Sequence, residues 1–184
     1  RADRTPKVED LDAVTLDLGF VAARHLIHGL EISTSRGCIH KCTFCNIIGR
    51  ESYQARSTES VLELLSRYAD RYQELFGDQI PHTAYRLHIA DDDFACDKPR
   101  AAQFFNDILE TPFRLSSVQV SVADLCLHED GALQPVLDPA LCDAIRPECF
   151  ADFYRNIPVR DFIHDHESRN WSAYLQIGVE TFSD

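Results

Sequence analysis

Apolar and polar positions alternate along this chain between two periods. Gly29-Leu30-Glu31-Ile32-Ser33-Thr34-Ser35 is a short apolar segment of strand length. From Ser57 to Phe76 the apolar residues Val61, Leu65, Tyr68, Tyr72 and Leu75 recur at helical spacing, so this stretch predicts a helix. Ser60 with Glu63 forms its expected capping box, and Gly77 ends it. Residues 84–90 predict a second strand. Asp97 and Pro99 open a second helix, with Ala102, Phe105, Ile108 and Leu109 as its buried face. The valine-rich run Ser117 to Ala123 predicts a third strand, Asp138-Pro139 starts a third helix, and residues 173–179 predict a fourth strand.

The order is β-α-β-α-β-α-β, with crossovers long enough to join parallel strands. It predicts an α/β fold, a parallel sheet with helices outside it. Residues 1–24 are charged and irregular and read as a lead-in segment or interdomain linker. Residues 25–184 read as the core domain. The chain opens on Arg1, contains no methionine and stops soon after the fourth predicted strand, so it reads as a piece of a larger protein.

The chemistry concentrates in Ser35-Arg36-Gly37-Cys38-Ile39-His40-Lys41-Cys42-Thr43-Phe44-Cys45. Cys38, Cys42 and Cys45 have the spacing Cys-x3-Cys-x2-Cys, with no fourth cysteine close by. Dense thiolates bind soft metals, and cysteine sulfur holds iron–sulfur clusters. Three ligands on a four-iron cluster leave one iron open to a substrate or cofactor. A zinc site of the three cysteines plus His40 is the alternative. The odd count of seven cysteines and the lack of a signal peptide argue for a reducing, cytoplasmic compartment.

The cysteine spacing and its context resemble the radical S-adenosylmethionine superfamily. Three motifs carry the resemblance: the apolar segment running into the cysteines, Ile89-Ala90-Asp91-Asp92-Asp93-Phe94, and Leu175-Gln176-Ile177-Gly178-Val179-Glu180. The last two look like the cobalamin-linked branch. The resemblance implies a partial (β/α)6 TIM-like barrel, with roughly its first four β/α units in this chain. It implies a 4Fe-4S cluster on Cys38, Cys42 and Cys45, which reductively cleaves S-adenosylmethionine to a 5′-deoxyadenosyl radical that abstracts hydrogen from substrate. Phe44 would lie against the adenine, and Asp91 or Asp92 against the amino group. Ser121, Asp124 and Glu180 would meet the ribose and methionine moieties. Any cobalamin would bind outside this chain, which has no Asp-x-His-x-x-Gly motif.

The leading expectation for the reaction is methyl transfer or rearrangement in natural-product or cofactor biosynthesis. A methylthiotransferase acting on RNA or protein is the alternative, and a zinc-stabilised binding domain without redox chemistry is the reading from another class. The expected partners are a small-molecule or peptide substrate and an electron donor such as flavodoxin or ferredoxin. A formal charge of -12 disfavours nucleic acid as a partner of this segment, and no apolar run approaches a membrane span.

Gly37 is expected to take a positive φ or to approach the cluster closely. Cys96 and Cys126 follow predicted strands, so each reads either as a hydrogen-atom donor or extra ligand, or as a small buried hydrophobe. Cys142 and Cys149 read as structural. His164-Asp165-His166-Glu167 reads as a polar surface loop in an insertion around residues 147–170 that contacts another domain.

Overall fold

The computed structural model describes residues 10–40, 45, 53–129, 132–151 and 175–178 of the chain. Its strands, in chain order, are β1 (Leu30–Ile32), β2 (Ser35–Arg36), β3 (Gln54–Ala55), β4 (Arg86–Ile89), β5 (Arg114–Ser121), β6 (Cys126–Glu129), β7 (Ala132–Leu137) and β8 (Leu175–Gly178). Its α-helices are α1 (Ala23–Leu26), α2 (Thr58–Phe76), α3 (Lys98–Asp107), α4 (Val122–Leu125) and α5 (Pro139–Ala144).

Strands β1, β4, β5 and β8 form one parallel sheet in that spatial order. Each strand lies beside the next one of the sheet in sequence, so the order never reverses. The predicted β-α alternation and parallel pairing are therefore present. The fourth strand falls where the Leu175-Gln176-Ile177-Gly178 segment placed it.

Local sequence explains the helices. The α2 face of Val61, Leu64, Leu65, Tyr68 and Tyr72 is buried. Tyr72 packs on Tyr85 and Phe113, and its hydroxyl donates to the Leu26 carbonyl at 3.1 Å. A second aromatic group, Phe94, Phe104, Phe105 and Phe150, lies between α3 and the chain after α5. Asp97 caps α3 and Asp138 caps α5, each with proline in the first turn.

Several expectations need correction. The cap of α2 is Ser57, whose side chain accepts from the Ser60 amide, so Ser60 and Glu63 lie inside the helix. Of the expected α3 face, Phe105 and Ile108 are fully buried, Ala102 and Leu109 are only partly so, and Arg100, Ala101 and Phe104 join it. The third sheet strand starts earlier, at Arg114, and stops at Ser121, because the Ser121 side chain accepts from the Asp124 amide and starts α4. An antiparallel hairpin of β6 and β7 follows it, which strand propensity around Pro135 did not suggest.

The first predicted strand is also split. Leu30–Ile32 joins the main sheet, and Ser35–Arg36 pairs antiparallel with β3. Residues 1–9 of the lead-in segment, most of the 147–170 insertion and the His164–Glu167 cluster lie outside the described residues.

Gly29 enters β1 at φ 108°, and a Cβ there would stand 2.7 Å from the Arg86 carbonyl oxygen. Backbone carries that contact, so no rotamer change relieves it. Gly29→Ala is expected to destabilise the fold by about 1–3 kcal/mol in chemical denaturation. An unchanged midpoint and slope would show that β1 and β4 can separate locally without loss.

Candidate functional site

The segment 37–53 carries all three cysteines of the motif. Its two ends are joined by the β2–β3 ribbon, where Arg56 N–H donates to the Thr34 carbonyl at 2.8 Å. The base of this excursion is tied to the end of β4. Ala90 N–H donates to the Ile32 carbonyl at 2.8 Å. Asp91 Oδ1 then accepts from the amides of Thr34 at 2.5 Å and Ser35 at 3.0 Å, and its Oδ2 accepts from Thr34 Oγ1 at 2.5 Å. Asp92 Oδ2 accepts from the Gly37 amide at 3.2 Å. Gly37 has φ 79°, the positive value expected of it.

Arg100 completes this arrangement from α3. Its Nη2 donates to Thr34 Oγ1 at 2.5 Å and to the Thr34 carbonyl at 3.3 Å, and its Nε donates to the Arg56 carbonyl at 2.7 Å. The guanidinium lies 5.3 Å from the centre of the Phe94 ring. The Thr34 hydroxyl therefore accepts from a buried cation and donates to a buried carboxylate. Two charges that would be unfavourable alone are compensated through one hydroxyl.

Beyond this anchor, side chains from three strand ends converge. Cys38 is buried, and its Sγ accepts from the His40 amide at 3.4 Å. The Cys96 sulfur is 4.0 Å from it, carried by the single turn Phe94–Cys96 that Asp93 caps. His40 Nε2 is 2.8 Å from Asp124 Oδ2, 3.3 Å from Ser121 Oγ and 3.6 Å from Asp93 Oδ2. Ser121 Oγ donates to Asp124 Oδ2 at 2.6 Å.

Asp93 and Asp124 are only 4% and 3% exposed. Burial, then the hydrogen bond and charge of Asp124, push the Asp93 carboxyl up to about 8. Burial also pushes Asp124 up, but hydrogen bonds from His40, Asp93 and Ser121 outweigh it and hold Asp124 below its ordinary value. Together the pair carries less than two full negative charges near neutrality. Burial raises the thiols of Cys38 and Cys96, and the charge of Asp93 adds to it.

An open cavity of about 730 Å³ borders this cluster, lined by His40, Tyr53, Cys96, Lys98 and Asp124 among others. Lys98 donates to the Cys126 carbonyl and lies 3.5 Å from Asp138. These are the strand ends at which parallel α/β folds place their chemistry.

The expected site residues are thus distributed unevenly. Cys38, Ser121 and Asp124 meet at one place. Asp91 and Asp92 lie beside it, with their carboxylates directed to the backbone that leads into the cysteines. Cys45 is a half-buried free thiol. Cys42, Phe44 and Glu180 lie outside the described residues. Cys126 is buried, Cys142 is half-buried, and Cys149 is buried with its thiol donating to the Phe105 carbonyl at 3.1 Å.

Two contributors were given no role from sequence. Asp93 was expected on the active face only as the third member of an acidic run, and its capping position next to Phe94 was the available signal. Arg100 gave none, since an arginine in a first helical turn is ordinary on a surface.

No family model matches the chain, and no curated protein does. Among solved structures, the cobalamin-dependent S-adenosylmethionine radical enzyme OxsB with aqua-cobalamin bound matches with a TM-score of 0.51 and 17% identity, over 80% of this chain and 23% of that one. The radical S-adenosylmethionine methyltransferase TsrM from Kitasatospora setae, with tryptophan substrate and a SAM analogue bound, matches with a TM-score of 0.45 and 17% identity, over 68% of this chain and 21% of that one. At such identity the likeness is one of fold. The chain spans about a fifth of the length of these structures.

Thr34→Val removes the bridging hydroxyl while keeping side-chain shape. It leaves Asp91 and Arg100 each short of a partner and is expected to lower stability by about 2–4 kcal/mol. Thr34→Ser is expected to recover most of that loss in the same denaturation experiment. Equal stability of Thr34→Val and the unmodified protein would show that the bridge is dispensable.

Proposed function

We propose that this chain is the core of a radical S-adenosylmethionine enzyme. In this reading Cys38, Cys42 and Cys45 hold a 4Fe-4S cluster, and S-adenosylmethionine occupies the cavity beside it. The observation that carries the reading is the placement of the Cys-x3-Cys-x2-Cys segment. It follows β1 of the parallel sheet by way of the short strand β2, and the carboxylates after β4 hold its approach. The unreversed strand order supports a partial (β/α)6 barrel. The thiols suit the group: Cys38 and Cys45 are free, and soft sulfur donors match iron.

When bound, the cluster supplies the electron that cleaves the sulfonium of S-adenosylmethionine. The protein's own residues bind, orient and shield. Asp91 and Arg100 fix the strand end from which the ligand loop leaves. Asp92 orients Gly37, the residue before the first ligand. His40 ties the loop between the first two ligands to Asp124. Ser121 and Asp124 lie within reach of the cavity as hydrogen-bonding groups for ribose hydroxyls, with Phe44 against the adenine and Glu180 at the methionine end. The buried Phe94, Phe104 and Phe105 rings pack together behind the Asp93 turn and Arg100.

The proposed reaction is a transfer, with methylation or rearrangement of a small molecule or peptide as the outcome. Cobalamin would be bound by a region outside this chain, and a cytoplasmic flavodoxin or ferredoxin would deliver the electron. OxsB supports the cobalamin-linked branch at the level of fold.

Anaerobic reconstitution of the full-length protein tests the reading. About four irons and matching sulfide per chain are expected. A Cys38, Cys42 and Cys45 triple alanine variant is expected to lose them. With a strong reductant, 5′-deoxyadenosine is expected from the unmodified protein alone. Retention of iron in the variant, or no cleavage by an iron-loaded protein, would overturn the assignment.

A further inference from the structure

The group Cys38, His40, Asp93 and Cys96 is not the ligand set that the cysteine spacing suggests. One ligand atom from each of these four side chains lies within 4.8 Å of all the others. Their spacing is compatible with a small tetrahedral cation. In a tetrahedral zinc site, Zn–S bonds of about 2.3 Å place two sulfurs about 3.8 Å apart. The Cys38 and Cys96 sulfurs are 4.0 Å apart, close to that edge. A disulfide requires about 2.05 Å; the two thiols are instead in hydrogen-bond contact, at a separation that a shared small cation could take over with little movement.

The surroundings favour the same occupant. Asp93 and Asp124 place two buried carboxyl groups at this point, with His40 between them. His40 Nε2 faces both Asp93 Oδ2 at 3.6 Å and Asp124 Oδ2 at 2.8 Å, so the imidazole is held against the proposed ligand set. The ligands come from two elements: the segment leaving β2 and the turn after β4 that Asp93 caps. The adjacent cavity supplies a path for a metal to enter.

We propose that, in the cluster-free protein, Cys38, His40, Asp93 and Cys96 form a mononuclear site for a tetrahedral divalent cation of the zinc class. Cys38 belongs to both this set and the proposed cluster set, so the two occupants exclude one another. Zinc would hold the first ligand near the end of β4 until cluster assembly withdraws it. The site stands on geometry independent of the cluster reading, apart from that shared residue.

Cobalt(II) titration of metal-free, reduced full-length protein under anaerobic conditions tests this. The expected result is strong tetrahedral ligand-field absorption with thiolate-to-cobalt charge transfer, bleached by stoichiometric zinc. Cys96→Ser is expected to weaken cobalt binding by more than about tenfold, and Cys45→Ser to leave it unchanged. His40→Gln, at a partly exposed side chain, provides a second weakened variant should Cys96→Ser fold poorly. No tetrahedral signal, full binding by both Cys96→Ser and His40→Gln, or equal weakening by Cys45→Ser would each overturn the proposal. Iron–sulfur assembly reports separately: the cluster reading requires loss in Cys45→Ser and retention in Cys96→Ser.

Discussion

The site depends on one buried compensation of charge. Arg100 and Asp91 do not meet directly; the Thr34 hydroxyl stands between them, accepting from one and donating to the other. Asp91 also takes the backbone amides of Thr34 and Ser35, and Arg100 also takes the carbonyls of Thr34 and Arg56. The same pair of side chains therefore defines where β1 stops, how the chain turns into β2 and where it returns after β3. Buried charges tolerate little displacement of their partners, so this arrangement is stiff where the cysteine segment is attached.

That stiffness contrasts with the electrostatics a few residues further on. Asp93 and Asp124 lie beside His40 in a pocket of low exposure, and burial first, then the hydrogen bond and charge of Asp124, drive the Asp93 carboxyl toward its neutral form. Such a cluster has capacity for positive charge, whether a proton or a metal. It stands next to Cys38, whose sulfur accepts from the His40 amide and lies 4.0 Å from that of Cys96. The acidic run Asp91-Asp92-Asp93 thus divides its labour: two members organise backbone, and the third faces the cluster of polar groups.

Much of the architecture was legible in the residues. The period of α2, the Asp-Pro openings of α3 and α5, the terminating Gly77 and the four strands of the parallel sheet follow from local rules of propensity and capping. Errors arose where a side chain acted against its local pattern. The Val122-Ala123 pair looked extended, but Ser121 and Asp124 close a helical turn there. The α3 face shifted because Arg100 turns inward to Thr34, a contact 66 residues apart in sequence.

The sequence by itself determined the α/β alternation, the helix ends and the three thiols of the motif, because these depend on residues within a few positions of each other. Only the tertiary structure decided that Asp91 serves the backbone, that Arg100 is buried, and that Cys96, Asp93 and Asp124 gather around His40. Those facts depend on the register of β1, β4 and β5 in the sheet. The ends of three strands become neighbours only when parallel pairing brings them together, and no local pattern encodes that meeting.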